Sequence, residues 1–341
     1  MNASLCEANR HTSTVAEPRI GLVLSGGGAR AAAHLGVLAV LEREFSFDCV
    51  VGTSAGSLTG LFYALGYTSA EMLALVKKEL GPGLVGFLPG GAYLHVLRLM
   101  RGRLASRLLR YVPRCVRLED FSRPRLIVTC TDLVTKRCVP LNHGSAASAV
   151  VASCSLPGVA TPVLDGPMVL VDGGLVDNCP CHALRGQNVD VIVAVDASGV
   201  RPTPIRPGRT PGLMQTLLSC WEAQRGLPSA PPDARPDVTI RPDTSAYSFA
   251  DFSPRAIDAL AEAGRRAAEA ALPQLRAILS QKTVRSASPH ALSDRRSRTS
   301  ILRSSACVDT AGALLPGILR KEMPTRNAGS FRKFAGAFSR N

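Results

Sequence analysis

The chain has 341 residues, 46% hydrophobic and 19% charged, enough to bury a large core as one substantial domain plus extras. Forty Lys and Arg against 26 Asp and Glu give a net charge of +14. No interleaved aromatics or recognised module accompany that charge, so nucleic-acid binding is not expected. Ten cysteines are scattered without a pattern and read as reduced thiols of a cytosolic protein.

Residues 1–17 read as a flexible N-terminus. They carry no apolar h-region, which predicts a cytoplasmic location. Residues 19–24 then form an apolar strand that runs into Ser25-Gly26-Gly27-Gly28-Ala29-Arg30. A helix follows, with Leu35, Leu38, Ala39 and Leu41 on one side. Three glycines between a strand and a helix N-terminus leave backbone N–H groups unshielded, and the helix dipole adds positive potential there. Such a loop stabilises an anion, either a phosphate or the oxyanion of an acyl intermediate.

A second strand, 48–51, leads into Gly52-Thr53-Ser54-Ala55-Gly56. This G-x-S-x-G pattern marks a nucleophile elbow, a serine on a sharp strand-to-helix turn whose neighbours must be small. The compact helix expected over 57–64 supplies the required context. Thr68-Ser-Ala-Glu71 is a capping box that opens another helix. From Leu94 to Arg110 leucines mix with Arg98, Arg101, Arg103, Arg107 and Arg110.

Further strands are expected at 125–131, 168–171, 189–196 and 237–241, and a helix from the N-cap Ser253 with Pro254 at its first position. Strands alternating with helices predict a three-layer α/β fold with a largely parallel central sheet flanked by helices. The uncharged runs 49–70 and 144–164 are long enough to cross a bilayer. Their Gly, Ser and Pro content instead reads as buried sheet and turn. Pro-rich stretches at 201–211 and 226–236 read as surface connections.

A serine hydroxyl needs a base within hydrogen-bond reach. Asp172, which ends the strand 168–171 and precedes Gly173-Gly174, is one candidate. Of the six histidines, His182 is the rival, since it would give the chain order Ser, Asp, His. His34 and His95 fall in helical patterns and read as core or solvent-facing. Asp177 and Asn178 read as caps or braces of the Asp172 turn, and Asp196 as a turn residue at a strand end. Arg30 would either orient the glycine loop or cover surface. Cys179 and Cys181 form a C-x-C pair with no partner pair at zinc spacing, so no metal is expected.

Several of these segments together resemble the patatin-like phospholipase family. The stretches that carry the likeness are Gly21-Leu-Val-Leu-Ser-Gly-Gly-Gly-Ala-Arg30, His34-Leu-Gly-Val-Leu38, Gly52-Thr-Ser-Ala-Gly56, Ala152-Ser-Cys-Ser-Leu-Pro-Gly158 with Pro162-Val163, and Asp172-Gly-Gly-Leu-Val-Asp-Asn-Cys-Pro180. They cover residues 18–280 in the family's order, most like its compact bacterial members. The resemblance implies a cofactor-free serine lipid acyl hydrolase with a Ser–Asp dyad, Ser54 as nucleophile and Asp172 as base. It implies an oxyanion hole from Gly26, Gly27 and Gly28, supported by Arg30, Gly52, Gly56, Gly173 and Gly174. One position departs: where the family's loop usually ends in glycine, this chain has Ala31. That change strains the loop if the position needs positive φ and is harmless in a first helical turn.

Other readings remain open at this point: a catalytically silent lipid-binding protein, a nucleotide-binding module on the glycine loop, or a Ser–His–Asp hydrolase using His182. Residues 281–341 hold 12 Lys and Arg against 3 Asp and Glu, a net +9, and read as a basic disordered tail. Phe331, Phe334, Ala335 and Phe338 recur at helical spacing among its basic residues, a pattern suited to peripheral contact with an anionic membrane at its inner face.

Overall fold

The computed structural model describes residues 17–80, 109–158, 160–199 and 235–287, with the single positions 208, 210 and 216. The segment 1–16, most of the arginine-rich stretch 94–110, and the tail from 288 lie outside the described residues. So does most of the Pro-rich connection between 200 and 234.

Eight strands form one sheet: β1 (Ile20–Leu24), β2 (Cys49–Thr53), β3 (Arg125–Asp132), β4 (Arg137–Leu141), β5 (Val163–Asp165), β6 (Met168–Asp172), β7 (Val191–Val195) and β8 (Val238–Ile240). Five of them, in the order β8-β7-β1-β2-β3, are parallel. Strands β4, β5 and β6 make an antiparallel margin. The helices are α1 (Ala32–Leu41), α2 (Ala55–Ala64), α3 (Ser69–Leu80), α4 (Ala146–Ser153) and α5 (Pro254–Ala287). None of the described helices is long and apolar enough to cross a membrane.

Alternation along each strand places core on both faces of the sheet. Leu22, Leu24, Val50, Leu126, Val128, Val193 and Val195 face the larger cluster, with residues from all five helices. Val23, Val51, Ile127 and Ala194 face the smaller one, closed by Cys181, Ala183 and Leu184 of a short 3-10 segment. A further small cluster of Cys130, Ala152 and Leu170 sits beside the antiparallel strands. Helix α1 is buried at nine of its ten positions, which fits a sequence that is apolar all round apart from His34. It crosses α5 closely: a Cβ on Gly264 would stand 1.9 Å from the Ala33 carbonyl oxygen.

The expected helix starts are in place. Thr68 and Glu71 close a reciprocal capping box, Glu71 N–H to Thr68 Oγ1 at 3.2 Å and Thr68 N–H to Glu71 Oε2 at 2.9 Å. Ser253 Oγ accepts from Ala256 N–H at 3.2 Å. Helix α5 continues to Ala287, past the boundary expected at 280.

Two strands escape the sequence pattern. β4 carries Pro140, cannot complete a central ladder, and lies on the outer side of β3. β5 is three residues long and mostly exposed.

The registers around β3 position the site. β4 pairs with β3 from Val128 to Asp132, so it takes one edge. β2 pairs from Arg125 to Thr129 on the other edge, and β6 takes over that same edge from Cys130 to Asp132. β2 and β6 therefore run toward each other, and their last residues, Thr53 and Asp172, oppose the consecutive residues Thr129 and Cys130.

Candidate active site

Strand β2 runs on past the expected end at Val51 to Thr53, and Ser54 follows immediately. Its backbone has φ 51 and ψ −126, a conformation that costs a non-glycine residue on the order of 1–3 kcal/mol. The turn is so tight that a Cβ on Gly52 would lie 2.4 Å from Ser57 Cα, and one on Gly56 2.3 Å from the Leu24 carbonyl oxygen. Only glycine fits at either place. Neighbours hold the strained serine. Ser54 N–H donates to Ser153 Oγ at 2.7 Å, and Ser153, fully buried, donates in turn to the Thr129 carbonyl at 2.7 Å. Ser57 Oγ donates to the Ser54 carbonyl at 2.6 Å.

Ser54 Oγ donates to Asp172 Oδ2 at 2.6 Å. Asp172 is buried, and its other oxygen, Oδ1, accepts from Gly174 N–H at 2.9 Å as it caps the 3-10 turn Gly173–Leu175. The Gly173 carbonyl accepts from Thr131 Oγ1 at 3.3 Å. The carboxylate is thus fixed from both sides against the hydroxyl.

The glycine loop abuts the serine: a Cβ on Gly26 would stand 3.1 Å from Ser54 Cβ. Gly26 N–H is engaged, donating to the Asn178 carbonyl at 3.2 Å. Gly27 and Gly28 N–H make no hydrogen bond among the described residues. Gly28 has φ +59, and a Cβ there would meet the Phe249 carbonyl oxygen at 2.3 Å, so no other residue fits.

Residues 22–185 match the family model described as patatin-like phospholipase. They form a patatin-like phospholipase domain. The chain is 31% identical over 281 residues to an NTE family protein of Mycobacterium tuberculosis (strain ATCC 25618 / H37Rv), covering 76% of this chain and 47% of that protein. It is 31% identical over 227 residues to lysophospholipase NTE1 of Kluyveromyces lactis, covering 65% of this chain and 16% of that protein. The chain thus spans less than half the length of these relatives. Among solved structures, human GIVD cytosolic phospholipase A2 aligns with a TM-score of 0.47 and 13% identity, over 79% of this chain and 60% of that one.

The other residues singled out in the patatin-like domain take defined places. Ala31 has φ −63 and ψ −12, a helical conformation, so its departure from glycine strains nothing. Arg30 is a brace: Nε donates to the Tyr247 carbonyl at 2.8 Å and Nη1 to the Ser198 carbonyl at 2.6 Å. His182 Nδ1 pairs with Asp177 Oδ2 at 3.1 Å, while Ser54 bonds directly to Asp172. Asp196 accepts from Ser198 N–H at 3.1 Å and is the turn residue expected. Among the described residues no group of three or more His, Cys, Asp and Glu is placed to hold a metal.

Three contributors were not legible as such. Ser153 lies inside the Ala152–Gly158 motif, yet its bond to the elbow depends on α4 ending beside β2. Burial pushes the neighbouring Cys154 thiol up to about 12, with Asp172 adding to it, although the Ser57 and Ser54 hydroxyls oppose the shift. That thiol stays protonated. His34 is fully buried, and its Nε2–H donates to the Ser25 carbonyl at 2.9 Å. Burial lowers its pKa from 6.5 to about 4, partly offset by that bond and by Asp196.

Proposed function

We propose that this patatin-like domain is a serine lipid acyl hydrolase in which Ser54 and Asp172 act as a dyad. The 2.6 Å hydrogen bond from a strained elbow serine to a buried carboxylate carries the reading. In this mechanism Ser54 Oγ bonds to the ester carbonyl carbon as its proton passes to Asp172. The carbonyl oxygen becomes an oxyanion held by Gly27 and Gly28 N–H, which lie at a helix N-terminus. The C–O bond to the alcohol then breaks, and Asp172 returns the proton to the departing oxygen. Water attacks the acyl-serine by the same steps, releasing the acid and restoring Ser54. The preformed hydrogen bond and the helical Ala31 favour this over a silent lipid-binding role.

A lipid ester is the substrate in this reading. The basic segment 281–341 supplies peripheral contact with anionic membrane, and its removal should weaken cosedimentation with anionic vesicles without slowing hydrolysis of p-nitrophenyl butyrate. The central test is Ser54→Ala. That variant should lose hydrolysis of p-nitrophenyl butyrate and of lysophospholipid, and lose labelling by a fluorophosphonate, while melting near the wild-type temperature. Retained hydrolysis or labelling would overturn the assignment.

A further inference from the structure

The loop after Asp172 reaches back to the glycine loop through one residue. Asn178 holds the two ends of Gly26: its carbonyl accepts Gly26 N–H at 3.2 Å, and its Nδ2 donates to Gly26 O at 3.2 Å. Gly26 O accepts a second bond, from Ser25 Oγ at 3.1 Å. In a planar trans peptide the C=O and the following N–H point in opposite directions. Two donors on Gly26 O therefore turn Gly27 N–H away from Asn178. The Arg30 N–H bond to Gly27 O, at 3.2 Å, orients Gly28 N–H in the same manner.

The side chain of Asn178 bears a further mark. Its Oδ1 is buried and has no hydrogen-bond partner, and a Cβ on Gly26 would come within 2.6 Å of it. A buried amide oxygen without a donor is unfavourable, and a hydrocarbon of the same shape would avoid that cost. What the amide offers in exchange is its N–H on Gly26 O.

We propose that Asn178 is a positioning residue for the oxyanion hole: its Nδ2–H on Gly26 O fixes the Gly26–Gly27 peptide so that Gly27 N–H stays directed at the developing oxyanion. Rotation of that peptide would present the Gly26 carbonyl to the oxyanion instead and repel it. This rests on the acyl-hydrolase reading above and adds a residue that acts only through the glycine loop. It also ties the base and the oxyanion donors to one segment, 172–178, so that neither moves without the other.

The test compares Asn178→Ala and Asn178→Asp with the wild type on p-nitrophenyl butyrate, with an alkyl trifluoromethyl ketone as transition-state analogue. Loss of one well-placed donor in such a hole lowers kcat by about 10²–10³-fold, and a misdirected donor by about 10–100-fold. Both variants should show the smaller loss, with KM within about threefold. The analogue's Ki should rise by the factor that kcat/KM falls, since it forms the same oxyanion on Ser54. In Asn178→Asp an ionised carboxylate turns an acceptor toward Gly26 O, so acidification should restore that variant relative to Asn178→Ala as its carboxyl gains a donor proton. If Asn178→Ala proves unstable to melting, the isosteric Asn178→Asp carries the comparison. An unchanged kcat, or a lowered kcat with an unchanged analogue Ki, overturns the proposal. Activity surviving in Ser54→Ala would instead overturn the acyl-hydrolase reading, which separates the two failures.

Discussion

The parallel half of the sheet and its antiparallel margin serve the site on different terms. β1 and β2 are buried at every position and deliver the glycine loop and Ser54. β4 is half-buried to exposed and β5 more exposed still, and this margin delivers a single chemical group, Asp172 at the end of β6. Asp132 holds the margin in place. Its carboxylate accepts from Val134 N–H at 3.0 Å, Thr135 N–H at 3.1 Å, Thr135 Oγ1 at 2.8 Å and Val169 N–H at 3.1 Å. Those bonds, led by Val134, hold its pKa down at about 2. The parallel half derives its order from a large hydrophobic core, whereas the margin combines a small cluster, Leu141, Val163 and Met168 against Cys130, Ala152 and Leu170, with polar bonds to Asp132. Stability should therefore concentrate on one side, and sensitivity of catalysis to small displacements on the other.

The largest effect expected is on the proposed base that the margin carries. Asp172→Asn should lower kcat/KM by about 10³-fold or more, because the amide cannot take the serine proton, with little change in melting temperature. His182→Ala should stay within about threefold of wild type. A loss at His182 matching that at Asp172 would transfer the base to the histidine and break the division drawn above.

Next comes the α1–α5 crossing on the parallel side. Gly264→Ala forces a methyl against the Ala33 carbonyl and should cost about 3 kcal/mol by overpacking. The denaturation midpoint reports it. Specific activity of the folded fraction should be unchanged, and a parallel fall in activity at full folding would show that the core half also tunes the chemistry.

A comparable effect should appear with acid. His34 has a folded pKa of about 4 against 6.5, so the native state excludes a proton that the unfolded chain binds between those values. Stability from this group is complete above pH 6.5 and lost as pH falls toward 4, by about 3 kcal/mol. Urea midpoints across that window, for wild type and His34→Gln, measure it. An equally steep fall in the variant would assign the acid sensitivity elsewhere.

Asp132→Asn should show the smallest change in stability, about 1–2 kcal/mol, since the amide keeps one acceptor oxygen. Yet it should lower kcat about tenfold by loosening β6. If stability falls while kcat holds, the margin is structural and does not position the base.

The sequence exposed the parallel half because its strands are near-continuous apolar runs, such as Gly21–Leu24 and Val191–Val195, bounded by glycine or aspartate. The same reasoning lost β4, whose Arg137 and Pro140 break any apolar period, and β5, which has too few residues to show one. Ser54, Asp172 and the glycine loop were legible because tight turns demand small residues around a functional one. Asn178 appeared as a brace, but its target did not: a bond from a side chain to a distant peptide leaves no periodicity and no composition. The engagement of Gly26 N–H, which narrows three candidate oxyanion donors to Gly27 and Gly28, was hidden for the same reason. His34 read as core or solvent-facing, and nothing in the sequence showed that it is buried and supports Ser25.

The end-to-end meeting of β2 and β6 along one edge of β3 has a bearing on how this domain tolerates change. Thr53 and Asp172 are spaced by one residue step of a third strand, Thr129 to Cys130, a rise of about 3.3 Å. β3 therefore works as a ruler, and the separation of serine and carboxylate is written in its backbone rather than in the lengths of the connections. Ser57 and Ser153 brace the elbow within that frame, so insertions between α3 and β3, away from these braces, should leave the gap between Ser54 and Asp172 unaltered.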